Sequence, residues 1–145
     1  MSYQLGQRSL EKLEGVHPDL VSVVKRAIQI SEQDFSVGEG LRSVARQKEL
    51  VATGKSKTMN SRHLTGHAVD IFPYPVSWDW KYYYPIADAM KQAARELGVP
   101  VRWGGNWGVH DIRQWEGTAK ELHDSYSGSF PDGPHLEIPR GFGYD

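Results

Sequence analysis

Two short stretches carry the residue types that bind cations. Ser61-Arg62-His63-Leu64-Thr65-Gly66-His67-Ala68-Val69-Asp70-Ile71-Phe72 holds two imidazoles and a carboxylate, and Phe130-Pro131-Asp132-Gly133-Pro134-His135-Leu136-Glu137-Ile138 sets a third imidazole between two carboxylates. The chain has no cysteine, so thiolate ligands, disulfides and a cysteine nucleophile are excluded and an ion must be held by His and carboxylate. Gly66 interrupts a helical reading of the first stretch, and β-branched Val69 and Ile71 in an alternating run predict a strand from Ala68 to Phe72. Side chains alternate along a strand, which puts Asp70 on one face with Ala68 and Phe72, and His67 on the other with Val69 and Ile71. In the second stretch Gly133-Pro134 makes a turn, after which His135 and Glu137 point one way and Leu136 and Ile138 point into the core. If the two strands are neighbours, His63, Asp70 and His135 meet at one ion with a fourth position open, the ligand set of a catalytic zinc, Zn²⁺. Glu137 is then a partner that orients a ligand, because a fourth protein ligand would fill the position that water needs.

The elements that position these residues can be read in order. Ser9 to Leu13 is a short helical turn ended at Gly15. From Pro18 to Ile30 the residues Leu20, Val23, Val24, Ala27 and Ile28 keep helical spacing and predict a core-facing helix, preceded by a solvated His17. Phe35 to Gly40 reads as a strand running into a turn, and Ser43 caps a helix through Val44, Ala45, Gln47, Leu50 and Val51 to Gly54. Arg42 sits where that strand meets that helix, a usual place for a side chain aimed into a cleft, although a surface ion pair is the commoner role. The loop Lys55-Ser56-Lys57-Thr58-Met59-Asn60 is polar and positively biased, either simply solvated or one wall of a cleft. The aromatic run from Tyr74 to Tyr84 is read as a loop folded over the core in preference to a sugar-stacking platform. A helix with Ile86, Met90, Ala93, Ala94 and Leu97 on one face stops at Gly98. Val101 to Trp103 is a short strand, and Gly104-Gly105-Asn106-Trp107-Gly108 a turn whose backbone can approach something closely. Helical character returns between Trp115 and His123, and His110 and His123 are read as loop or surface histidines.

At 145 residues with formal charge −1, the chain is expected to be one domain, residues 1–145, with no basic field for nucleic acid and no segment able to insert in a membrane. Met1-Ser2-Tyr3-Gln4-Leu5-Gly6 is not a charged and then hydrophobic leader, so synthesis in the cytoplasm is expected. Nothing calls for an obligate partner, and a monomer is expected.

Four segments in order resemble a known family. Ser61 to Asp70 is similar to the S-x-H-x-x-G-x-A-x-D motif of the D-Ala-D-Ala-type zinc peptidases, relatives of VanY-like carboxypeptidases and of the hedgehog signalling domain. Asp132-Gly133-Pro134-His135 resembles the D-x-P-H segment of the subgroup that contains the phage L-alanyl-D-glutamate endopeptidases. Gly40 to Gln47 resembles G-x-R-S-x-x-x-Q, and Arg102 to Trp107 resembles R-W-G-G-[DN]-W. More residues lie between Gly108 and Phe130 than the family pattern leads one to expect.

The resemblance implies an α+β fold in which a small antiparallel sheet carries the zinc site and packs against helices. It implies His63, Asp70 and His135 as metal ligands, Asp132 as general base, Arg42 at the oxyanion or a substrate carboxylate, and Gln47 and Ser61 at substrate. The pattern has no ligand at His67, which is read as a packing residue. The implied activity is that of a phage endolysin: hydrolysis of the peptide stem of bacterial peptidoglycan at the L-alanyl-D-glutamate bond, after release from the host cytoplasm through a holin-type lesion. A D,D- or L,D-carboxypeptidase is the enzymatic alternative, and a zinc-stabilised hedgehog-like binding module the non-enzymatic one.

Overall fold

Pro18 fixes the first turn of α2 (Pro18–Ile30), and the His17 ring accepts a hydrogen bond from the Asp19 amide at 3.1 Å, so this helix starts where the sequence predicts. Its buried stripe of Leu20, Val23, Val24, Ala27 and Ile28 packs on α4 (Tyr83–Leu97), which contributes Ile86, Met90, Ala93 and Ala94 and stops at Gly98 with φ +69°. Leu97, expected on the same face, is exposed in the last turn. Each fully buried Leu, Val or Ile of this layer contributes about 1.5–3 kcal/mol, enough to hold the sheet against the helix pair.

The computed structural model describes residues 2–144; Met1 and Asp145, where the expected leaderless start and the end of the expected unit fall, lie outside the described residues. Within them β1 (Phe35–Glu39), β2 (Ala68–Pro73), β3 (Arg102–Trp103) and β4 (His135–Glu137) form an antiparallel sheet in the order β1-β2-β4-β3. The α+β architecture expected from the sequence is the one observed. Register explains how the site is assembled. Asp70 pairs with His135, Ala68 with Glu137 and Val69 with Leu136, so the polar residues of β2 and β4 share one face while Val69, Ile71 and Leu136 enter the core. On the other side of β2, Val37 pairs with Ile71, and an irregularity at Gly38 then sets Glu39 opposite Asp70.

Three shorter helices complete the fold: α1 (Gln7–Lys12), α3 (Val44–Ala52) and α5 (Ala119–Asp124). Ser43 caps α3 as expected, its hydroxyl accepting from the Arg46 amide. The face of α3 is different from the expectation, because Val44 and Val51 are exposed and Gln47 is its buried residue. α3 is anchored by a polar side chain, not by an apolar stripe. α5 is shorter than the Trp115–His123 reading, since the capping box of Thr118 and Glu121 starts it only at Ala119.

Candidate metal centre and cleft

Asp70 reaches the centre from the middle of β2 and His135 from the start of β4. His63 arrives differently. It was expected on the approach to a strand, but lies in a 3₁₀ turn, Arg62–Thr65, capped by Ser61 and closed by Gly66 at φ +75°. The left-handed glycine that interrupts an α-helix also ends this tighter turn and aims the imidazole at Asp70. His63 Nε2 lies 3.3 Å from Asp70 Oδ1, and His135 Nδ1 lies 3.5 Å from the same oxygen. One donor atom from each of the three falls within 4.8 Å of the others, and among the described residues this is the group of His, Asp and Glu able to hold an ion.

The ring nitrogens facing away define which atoms are offered. His63 Nδ1 donates to the Gly40 carbonyl at 2.8 Å, which can only accept, so the lone pair is on Nε2. His135 Nε2 donates to Glu137 Oε1 at 2.8 Å, which in the neutral ring leaves the lone pair on Nδ1. In their neutral forms the two rings would offer these lone pairs to the space beside Asp70. These three residues fit a zinc ion by donor type, number and orientation.

Burial opposes ionisation of Asp70, but hydrogen bonds from His135 and His63 outweigh it and hold the carboxyl well below the usual carboxylate range. Burial also opposes charging of His135, yet hydrogen bonds to Asp70 and Glu137 lift it to about 9 in the metal-free protein. For Glu137 burial would raise the pKa, and the hydrogen bond from His135 reverses it to a value below the ordinary one. Asp132 goes the other way. Desolvation in the cleft raises its carboxyl, and the charge of Asp70 adds to this against the pull of His135, His63 and Arg42.

Asp132 is placed by the turn foreseen at Gly104. The Asp132 amide donates to the Gly104 carbonyl at 2.7 Å, and the Gly104 amide donates to the His135 carbonyl at 2.9 Å. A Cβ on Gly104 would stand 2.3 Å from the Asp132 carbonyl oxygen, which is why glycine is needed there. Trp103 Nε1 donates to the Gly133 carbonyl and Trp107 Nε1 to the Phe130 carbonyl, each at 2.8 Å, and the Trp107 ring lies 5.0 Å from that of His135. Sequence reasoning saw these tryptophans as part of a motif without seeing that they clamp the residues around Asp132.

Arg42 is nearly buried and is held by Glu39, which accepts from its Nε at 2.9 Å and also from Nη2. Its Nη1 donates to Gln47 Oε1 at 2.7 Å, and Nη2 lies 3.7 Å from Asp70 Oδ2. Glu39 was missed as a site residue; its only signal was its place between Gly38 and Gly40 in a strand end. Gln47 and Ser61, expected at substrate, are both engaged within the protein. Gln47 has 0% exposure and its amide donates to Ser56 Oγ and the Thr58 carbonyl, while Ser61 Oγ accepts from the His63 amide.

The remaining histidines lie apart from this cluster. His67 is buried, 2.7 Å from Thr65 Oγ1 and with its ring 5.5 Å from that of His17, a packing position. His110 is exposed. His123 is on α5 and not in a loop: its ring stacks on Trp80 at 3.7 Å and Nδ1 meets the Tyr84 hydroxyl at 2.8 Å, and burial pushes its pKa down. The triad opens on a cleft of about 1160 Å³ lined also by Arg42, Asp132, Trp78 and the 54–60 loop.

A three-residue donor set of two imidazoles and one carboxylate on an antiparallel sheet, beside a carboxylate of raised pKa in an open cleft, defines a metallopeptidase type of centre. The family model for phage L-alanyl-D-glutamate peptidase matches residues 1–138, and the chain belongs to that family. It is 32% identical to the L-alanyl-D-glutamate peptidase of Escherichia phage T5, over 95% of this chain and 99% of that protein. Identity to the L-alanyl-D-glutamate peptidase of Listeria phage A118 is 25% over 95% of this chain, which spans 43% of that longer protein. The crystal structure of the Serratia marcescens L-Ala D-Glu endopeptidase ChiX superposes with a TM-score of 0.72 at 47% identity, covering 91% of this chain and 86% of that one.

Proposed function

We propose that this chain is a zinc-dependent endopeptidase that cuts the L-alanyl-D-glutamate bond of the peptidoglycan peptide stem, working as one catalytic domain and a monomer. The observation that carries the reading is the convergence of His63 Nε2, Asp70 Oδ1 and His135 Nδ1 beside Asp132 at the floor of an open cleft. His63, Asp70 and His135 would hold the ion, which when bound supplies a Lewis acid and brings the pKa of water from 15.7 toward roughly 7.

Asp132 takes the proton of the attacking water and returns it to the glutamate nitrogen as the amide C–N bond breaks, leaving an alanine carboxylate and a free amine. Burial raises its pKa, which makes its carboxylate a stronger proton acceptor than an ordinary aspartate. Arg42, held by Glu39 and Gln47 with Nη2 3.7 Å from Asp70 Oδ2, is placed beside the proposed ion to meet a developing oxyanion or a substrate carboxylate. Glu137 fixes the His135 tautomer, and Gln47 and Ser61 hold Arg42 and the His63 turn from behind. No described helix is long and apolar enough to cross a membrane. We place the site of action at the cell wall, reached from the cytoplasm through a lesion made by another protein.

The test joins metal content to product mass. Purified protein should hold about one zinc per chain, lose activity to a strong chelator and regain it with Zn²⁺, and release fragments that begin with glutamate. Release of terminal D-alanine alone would make it a carboxypeptidase, and undiminished hydrolysis by metal-free protein would end the zinc mechanism.

A further inference from the structure

Although the whole chain carries a formal charge of −1, the cleft gathers seven Lys and Arg side chains against four carboxylates. The carboxylates, Glu39, Asp70, Asp132 and Glu137, lie at or beside the metal centre. Of the cations, Arg42 is paired with Glu39, Arg62 donates to the Ile138 carbonyl and Arg102 to the Trp107 carbonyl. Lys55, Lys57 and Arg140 are exposed on the outer wall. We infer that Lys55, Lys57 and Arg140 form a subsite that reads the free carboxylate on the glutamate side of the scissile bond; this rests on the endopeptidase reading and adds its direction.

The wall is built rather than incidental. Buried Gln47 donates to Ser56 Oγ at 2.9 Å and to the Thr58 carbonyl at 2.5 Å, so the loop that bears both lysines is tied to the same amide that receives Arg42. Arg140 Nη2 donates to the Asn60 carbonyl at 3.1 Å and so joins the far end of that loop. Lys57 Nζ stands 5.1 Å over the Phe130 ring, two residues from Asp132, which sets this cation at the edge of the reacting centre.

The chemistry of the substrate supplies the complement. A glutamate whose nitrogen is acylated by alanine has two carboxyl groups, and continuation of the chain uses one of them. A negative charge therefore stays within a few bonds of the cut amide on the glutamate side, whereas the alanine side has none. A cationic rim opposite a metal-bearing floor admits such a peptide in one orientation. Exposed cations of this kind act weakly one by one, roughly 2–5-fold each, and are screened by salt.

The experiment compares two synthetic stem peptides with the same scissile bond, one with the free glutamate carboxylate and one with a carboxamide there. Zinc-loaded wild-type protein should prefer the carboxylate peptide by roughly tenfold in kcat/KM, mostly through KM, and lose the preference in high salt. In the triple variant Lys55→Gln, Lys57→Gln, Arg140→Gln, with zinc content and thermal midpoint checked against wild type, the preference should fall toward parity. The charge-conserving Lys57→Arg should keep it. Equal cleavage of both peptides by wild type, or a preference that survives in the triple variant, overturns the subsite while leaving the endopeptidase reading intact. Cleavage of neither peptide overturns both.

Discussion

The floor and the outer wall of the cleft hold their charges by opposite means. Asp70 and His135 are directly paired residues of adjacent strands, and each imidazole of the triad is fixed from behind by a carbonyl or a carboxylate. Lys55 and Lys57 are exposed on a loop tied down by buried Gln47 and, at its far end, by Arg140. Coordination tolerates errors of a few tenths of an ångström, which only packed strands and a tight turn supply. Attraction to a carboxylate in solvent is long-ranged and forgiving, so a loop suffices. The proposed chemistry thus sits on the rigid part and the proposed substrate selection on the adaptable part.

The harshest way to break this division is at the floor. His135→Ala would remove a proposed ligand and leave Glu137 without its hydrogen bond and Asp70 with that of His63 alone. Zinc affinity should drop by well over the roughly 10–100-fold typical of losing an outer partner, and hydrolysis should fall to background. Metal titration of the purified variant reads this directly; a variant that still bound zinc tightly would remove His135 from the ligand set. Asp132→Asn separates proton transfer from metal binding. It should keep one zinc per chain and lose roughly 10²–10⁴-fold in kcat. Wild-type turnover by this variant would strike Asp132 from the mechanism.

Acidity offers a subtler distinction between the two walls. In the metal-free protein His135 is raised to about 9, so it enters the site charged at neutral pH. A raised group stabilises the fold fully below its unfolded value near 6.5, and that contribution is lost as pH rises through 9. Metal needs the neutral ring, so zinc binding releases this proton and affinity should climb about tenfold per pH unit as pH approaches 9. Calorimetric titrations in buffers of different ionisation heat would count the proton. The lysine-bearing rim should respond to salt instead.

Much of the floor was legible in the sequence because its residues lie in short, strongly patterned segments. Alternation placed Asp70 opposite to Val69 and Ile71, and His135 opposite to Leu136, as the buried faces of β2 and β4 require. What alternation cannot carry is register. The shift at Gly38 that puts Glu39 across from Asp70, and with it the partner of Arg42, depends on a pairing decided between strands. The stack of His123 on Trp80 joins residues 43 positions apart and has no local signal, so a histidine that looked like a surface residue is half-buried. The apolar residues of α3 misled for a related reason. Val44 and Val51 keep helical spacing but face solvent, since the helix is held through Gln47.

The turn at Gly104 is the joint between the two regions, and a methyl group there gives the smallest and most informative perturbation. Gly104→Ala forces its Cβ against the Asp132 carbonyl oxygen, at 2.3 Å in the unrelaxed geometry, and a main-chain atom cannot swing aside as a side chain tip would. The 130–134 segment must therefore move, carrying Asp132 while Trp103 and Trp107 still hold its neighbours. Overpacking of this kind costs about 1–3 kcal/mol in stability, visible in denaturant melts. His63 and Asp70 are untouched, so zinc should still bind, and the loss should appear as roughly a tenfold fall in kcat, since an ångström of misplacement is costly to proton transfer. If kcat held and KM rose instead, the clamp would serve substrate binding at the Phe130 edge, and the boundary between the rigid and the adaptable wall would have to be drawn on the other side of Asp132.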